Sequence, residues 1–207
     1  MRNRELTEAR LIEAGFETLE IGGLTGFGVN AVARQAKCDK KLIYRYFDGP
    51  EGLLAAMGRA EGDELSRSLS AVLDPRPESY GALIRRLALA LAAHLRASHR
   101  ARQAALMALA APTEAARPFR EARGAAIAAW FAVAKGELTA PPELDAPALN
   151  AALILAVEGL ALAAPAGHAG LALGTDAEWH RAERAIVRLV EAVYGIPAAS
   201  TARPEGA

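Results

Sequence analysis

Apolar residues in this chain recur at spacings of three and four, and no stretch alternates apolar with polar residues between turn signals. That pattern lines one face of a helix and offers no candidate strand. Alanine and leucine dominate while β-branched and aromatic residues are sparse, so little side-chain entropy opposes helix formation. The expected fold class is all-α. With 52% apolar content in 207 residues the chain can bury a substantial core, and disorder of the whole chain is not expected.

In the first segment Ala9, Ile12, Phe16 and Leu19 predict one helical face, ending at Gly22-Gly23. Gly26 and Gly28 bracket a short connection, after which Val29, Val32, Ala33 and Ala36 mark a second, short helix. Asp39 is a suitable N-cap for a third helix through LIYRYF, which Asp48-Gly49 closes. Pro50 suits the first turn of a longer helix from Glu51 to about Leu73, where its missing N–H is not needed. Beyond Asp74-Pro75-Arg76-Pro77, further helices are expected at about 78–97, 100–110, 114–138, 146–164 and 176–194, with breaks at Pro112, at Pro141-Pro142 and across 165–174. The most apolar stretch, Ala151 to Gly167, is interrupted by Glu158 and Pro165 and falls short of the roughly 20 residues that span a bilayer, so it reads as a buried helix. The start, MRNRELTEAR, does not read as a signal peptide, and a cytoplasmic location with no membrane partner is expected.

Lys plus Arg and Asp plus Glu each number 24, so any nucleic-acid surface has to be a local concentration of cations. Such a concentration exists. Between Gly28 and Phe47 stand Arg34, Lys37, Lys40, Lys41 and Arg45, opposed by Asp39, whereas the preceding helix carries Glu5, Glu8, Glu13, Glu17 and Glu20. Two short helices joined by a tight turn, the second bearing exposed cations, let one helix enter a major groove while the other crosses the backbone. On the third helix Ile43 and Phe47 are four apart and face inward, which leaves Lys40, Lys41, Tyr44 and Arg45 on the outer side.

The single cysteine, Cys38, excludes an intrachain disulfide and is expected as a packed thiol; with four histidines and no ligand spacing, neither a metal site nor a cofactor is expected. A rival reading is an enzyme on a helical scaffold with His94 or His99 as acid or base. There is no nucleophile motif, no paired metal ligand and no phosphate-binding glycine loop to support it, so the chain is not expected to be an enzyme. Another rival is a DNA-binding adaptor whose C-terminal part binds a protein partner.

The segment GVNAVARQAKCDKKLIYRYFDGPEGLL resembles the helix-turn-helix signature of the TetR family of bacterial regulators. The resemblance is dense over about the first 55 residues; beyond them it extends to length and helical character. It implies a dimeric repressor that leaves a palindromic operator when a small-molecule effector, of unknown identity, binds. Carried across by position, it makes Val32-Ala33 the packed pair of the second helix, Asn30 a DNA-facing residue, and Lys40, Lys41, Leu42, Tyr44, Arg45 and Tyr46 the recognition helix, with both tyrosines on the DNA backbone. Three positions depart from the pattern: Lys37 and Lys41 stand where glycine is usual or frequent, and Pro50 where a phosphate-contacting lysine is common. Lys37 would then have to adopt a left-handed conformation.

In the C-terminal region Trp130, Phe131, Met107 and Leu91 suit either a core or pocket walls. Glu158, inside AALILAVEGLALAA, is costly to bury unless paired, protonated or turned toward a cavity, and Arg85, Arg123 or His94 could pair with it. Asn150, Ile154 and Glu158 follow one row, so that side of the helix is a candidate ligand face, with Trp130, Phe131 and Glu158 as candidate ligand-binding residues. On the last helix Trp179, Ala182, Ile186, Leu189 and Val193 have heptad-like spacing and form the candidate dimer seam, with intrachain packing of the same stripe as the alternative. The expected division is a helix-turn-helix DNA-binding domain at 1–50, a helical regulatory and dimerisation domain at 51–197, and a flexible tail at 198–207.

Overall fold

The computed structural model describes residues 2–110, 114–164 and 166–195. Among them the regular elements are helical: α1 (Arg2–Gly26), α2 (Val29–Gln35), α3 (Lys41–Phe47), α4 (Pro50–Ser70), α5 (Tyr80–Ala97), α6 (His99–Ala110), α7 (Arg117–Lys135), α8 (Ala146–Ala163) and α9 (Asp176–Tyr194), with a 3₁₀ turn at Glu114–Ala116 before α7. The expected elements are therefore present, each within a few residues of its expected ends. The tail expected at 198–207 lies outside the described residues. The chain divides into two compact units, one of residues 1–70 and 94–134, the other of 71–93 and 135–207.

In the first unit, α1 packs against α2, α4 and α6, and α3 packs against α4. One apolar cluster joins Leu11, Phe16, Val32, Ile43, Leu53, Met57, Met107 and Phe119, so packing continues across position 50. Because α1 has neighbours on several sides, its buried face is broader than a simple amphipathic stripe: Leu11, Ala14, Phe16, Thr18 and Leu19 are buried, and Ile12 is half-buried. Ala9, expected on that face, lies past its edge and is exposed. The Thr18 hydroxyl is satisfied by donating to the carbonyl of Ala14 at 2.7 Å. Gly23 takes a left-handed φ of 59° and kinks α1 where the glycine pair predicted its end.

Two glycines set the approach of α4 to α7. A Cβ at Gly58 would lie 2.3 Å from the carbonyl oxygen of Phe119, and one at Gly62 would lie 2.7 Å from the Ala126 Cβ. Any side chain there would force the helices apart. Met107 and Leu91 are core residues, buried in the first and second units respectively.

In the second unit the buried face of α9 is Trp179, Ala182, Ile186 and Val190. Hydrogen bonds join three helices: Asn150 Nδ2 on α8 donates to the Tyr80 hydroxyl on α5 at 2.6 Å, and the Tyr194 hydroxyl on α9 donates to Asn150 Oδ1 at 2.9 Å. The Tyr80 and Tyr194 rings lie 5.6 Å apart, and Arg85 reaches Glu191 at 3.4 Å. Arg86 ties the preceding loop to α5 by donating to the carbonyls of Val72 and Pro75.

Helix α8 departs from expectation. Val157, Glu158, Ala146 and Ala161 are buried, but Ala148, Ala151, Ala152, Ile154, Leu155, Ala156 and Gly159 are exposed. The segment read as a buried helix thus keeps most of its apolar surface open within one chain, although its 18 residues are apolar enough by length and composition to cross a membrane.

Candidate nucleic-acid interface

The turn between α2 and α3 is built by two local devices. The N–H of Cys38 bonds to the carbonyl of Ala33 at 3.0 Å, and that of Lys37 to Arg34 at 3.1 Å. Together these close α2 with a Schellman motif whose left-handed position is Lys37, at φ 50°. The strained lysine expected from sequence is therefore observed. Asp39 then caps α3, its Oδ1 accepting from the N–H of Lys41 at 2.8 Å, as expected of that residue. Asp48 ends α3 at φ 60°, its N–H returning to the carbonyl of Tyr44 at 3.1 Å.

These devices hold α3 with one side in the core and one in solvent. Ile43 is fully buried, and Phe47 packs against the same cluster. Lys40, Lys41, Tyr44 and Arg45 are exposed, Tyr44 by 55%. Asn30, the second residue of α2, is exposed as well, as are Arg34 and Lys37. Leu42 and Tyr46 are half-buried against the cluster, so each commits part of its side chain to holding α3 in place. Cys38 packs there too, as a partly buried thiol. All seven residues assigned to DNA from sequence thus lie on α2, on α3 or at the first turn of α3.

A residue that the sequence reading passed over joins this surface. The Arg4 guanidinium sits 5.5 Å from the centroid of the Tyr46 ring, and that of Arg45 sits 5.9 Å from the same centroid. Arg4 also pairs with Glu8 at 2.6 Å, one turn further along α1. Glu8 raises the Arg4 pKa, by hydrogen bond and by charge.

The candidate ligand residues are divided between the two units. Trp130 and Phe131 lie on α7 in the first unit, half-buried, with Trp130 Nε1 donating to Ser70 Oγ at 2.9 Å. Glu158 lies in the second unit, 3% exposed, and is not without a partner. Asn150, read as one polar group of a ligand face, spends its amide on Tyr80 and Tyr194 instead. The row of residues at intervals of four also drifts around the helix, leaving Ile154 exposed by 44% while Glu158 is buried.

The residues of the candidate dimer seam differ in exposure. Trp179, Ala182 and Ile186 are 4%, 1% and 3% exposed within one chain, so they have almost no area left for a partner, whereas Leu189 and Val193 are 59% and 36% exposed. The α9 stripe follows the 3.6-residue period of a straight helix, which brings Val190 onto the inner face and leaves Leu189 and Val193 beside it. Those two, with Leu149, Ala152, Leu153, Ala156, Val190 and Tyr194, line an apolar groove between α8 and α9.

A second charged cluster, in the first unit, was also missed. Glu61 on α4 is 1% exposed. Burial pushes its carboxyl up to about 7, while Arg123 and Arg100 pull it down and Glu64 adds to the rise. His94, half-buried, has its pKa lowered by burial; Glu64 opposes that shift and Arg123 adds to it. His99, the other candidate acid or base, is exposed, its ring nitrogen 3.5 Å from the Gln103 amide. The signal available in the sequence was Glu61 lying between Gly58 and Gly62, positions where helices approach closely.

Residues 11–57 match the model of bacterial regulatory proteins of the tetR family. Comparison with curated proteins gives no match. Among solved structures, the chain is similar to the transcriptional regulator FadR from Bacillus subtilis in complex with stearoyl-CoA, at 14% identity and a TM-score of 0.64, covering 91% of this chain and 98% of that one. A TetR family transcription regulator from Marinobacter aquaeolei VT8 is similar at 18% identity and a TM-score of 0.61, covering 91% and 97%. A transcriptional regulator from Rhodococcus sp. Rha1 is similar at 22% identity and a TM-score of 0.61, covering 90% and 95%. Residues 11–57, which span α2 and α3, are thus similar to bacterial regulatory proteins of the tetR family, and the fold of the chain is similar to that of these solved regulators.

Proposed function

We propose that this protein is a homodimeric transcriptional regulator of the bacterial cytoplasm, a repressor that binds a partly palindromic operator and leaves it when a small molecule is bound. The observation that carries this reading is the two-sidedness of α3: Ile43 and Phe47 anchor it, while Lys40, Lys41, Tyr44 and Arg45 stand in solvent. Residues 1–50 are the DNA-reading module in this reading, and 51–197 the regulatory and dimerising part. Lys40, Lys41 and Arg45 reach phosphates or base edges, Tyr44 and Tyr46 the backbone, and Asn30 and Leu42 lie against the groove.

The exposed apolar face of α8 and α9 supports the dimer. Leu155, Leu189 and Val193 and the alanines around them form a surface that a second copy would cover, and small residues allow two helices to approach closely. Two-fold symmetry would place equal half-sites about one helical turn apart or a multiple of it. The ligand of the Bacillus subtilis FadR structure, stearoyl-CoA, supports a small-molecule response, with Glu158, Trp130 and Phe131 as residues whose substitution would alter it.

Selection of binding sequences from random duplex DNA tests the proposal. The expected result is a palindromic consensus whose recovery falls when Lys40→Ala is used. Affinity should drop steeply with salt, with a slope smaller by about 0.9 per protomer in the variant. Failure to enrich any sequence, or an enrichment indifferent to both Lys40→Ala and Arg45→Ala, would sink the reading.

A further inference from the structure

We propose that Arg4, on α1 and outside the helix-turn-helix, is a DNA-contacting residue that forms with Tyr46 and Arg45 a composite site for one backbone phosphate. The inference rests on the regulator reading above and extends its footprint to a second element. Tyr46 is the pivot. Its side chain is half-buried against the core cluster, so the ring is a fixed platform on α3. Guanidinium groups from two different helices lie within 6 Å of that one ring, Arg4 at 5.5 Å and Arg45 at 5.9 Å. Attraction to the ring face holds each of them there. An anion beside that ring would accept charge-assisted hydrogen bonds from both guanidinium groups.

Glu8 holds Arg4 in the meantime. Its carboxylate accepts from Arg4 Nε at 2.6 Å, in a pair whose side chains are 63% and 28% exposed. An ion pair so open to solvent is weak and readily exchanged, whereas a duplex phosphate releases counterions when an arginine neutralises it. The expected sequence of events is therefore a swap, in which Arg4 leaves Glu8 for the DNA and Arg45 stays on the ring. A phosphate contact of this kind adds affinity without adding base preference. Glu8 acts as a brake on it.

The test uses the full chain and a fluorescein-labelled mixed-sequence duplex, with anisotropy titrations across a range of salt concentrations. Arg4→Ala, at an exposed position where folding is not at stake, should weaken binding several-fold and lower the salt slope by about 0.9 per protomer. Glu8→Gln should strengthen binding, and sequences selected by Arg4→Ala should match those of the wild type. Unchanged affinity and slope in Arg4→Ala, alongside a loss in Arg45→Ala, would overturn the inference and leave the regulator reading standing. A shift in the selected bases would overturn the phosphate assignment. Absence of salt-dependent binding by the wild-type chain would overturn the regulator reading and this inference with it.

Discussion

Burial sets the chemistry of Glu61, and the consequence is a measurable pH dependence. Its carboxyl is pushed from an ordinary value of 4.5 up to about 7 in the folded chain. Between those values the folded state holds a proton that the unfolded state has lost, so stability falls as pH rises through this window. The size follows from the shift, at about 3 kcal/mol. His94 works the other way, because burial lowers its pKa and unfolding then takes up a proton, so its contribution grows as pH rises toward 6.5. Glu61→Gln separates the two: it should flatten the decline and exceed the wild type in stability above about pH 7, as read by urea melts. If the variant keeps the wild-type slope, the titrating group is another one. Lys37 supplies a second test at this scale. Its left-handed backbone costs about 1–2 kcal/mol and glycine would add about 0.5–1 kcal/mol of unfolded-state entropy, so Lys37→Gly should stabilise the fold by about 0.5–1 kcal/mol. The same change removes an exposed cation from the DNA-facing side, so thermal melts and DNA affinity should move in opposite directions.

At the scale of the element, α8 and α9 show how a helix can be legible while its faces are not. Apolar periodicity finds both, and α9 lies at the residues expected, Asp176–Tyr194. Which apolar residues face inward depends on the surface each helix meets. Trp179, Ala182, Ile186 and Val190 fill the interior of one chain, and Leu155, Leu189 and Val193 remain outside it. Substitutions should split along this line. Leu155→Glu or Leu189→Glu should yield folded monomers in sedimentation experiments, with unchanged helical content by circular dichroism. Ile186→Glu, which buries a charge, should cost several kcal/mol and unfold the chain before its association state can be read. A dimeric Leu155→Glu/Leu189→Glu variant would place the interface elsewhere.

For the whole molecule, a dimer held by this face makes stability depend on concentration. The apparent melting temperature should rise with protein concentration and rise again with added operator duplex, because both bind the native state alone. In Leu155→Glu the first dependence should vanish. Much of this architecture is written locally. The periods of three and four, the Asp39 cap, the strained Lys37 turn and the proline that opens α4 each act through a few neighbouring residues, so the order of the helices, their bounds to within a few residues and the cationic face of α3 follow from sequence alone, whereas α1 runs on past the glycine pair expected to end it. Long-range packing decided the rest. Bringing α1 among α2, α4 and α6 widened its buried face, and glycine-mediated approach of α4 to α7 enclosed Glu61. The placing of Arg4 beside a ring 42 positions along the chain has no local signature. The type of each element depends on interactions within a turn or two, but the identity of its neighbours depends on surfaces far apart in the chain, which periodicity does not encode.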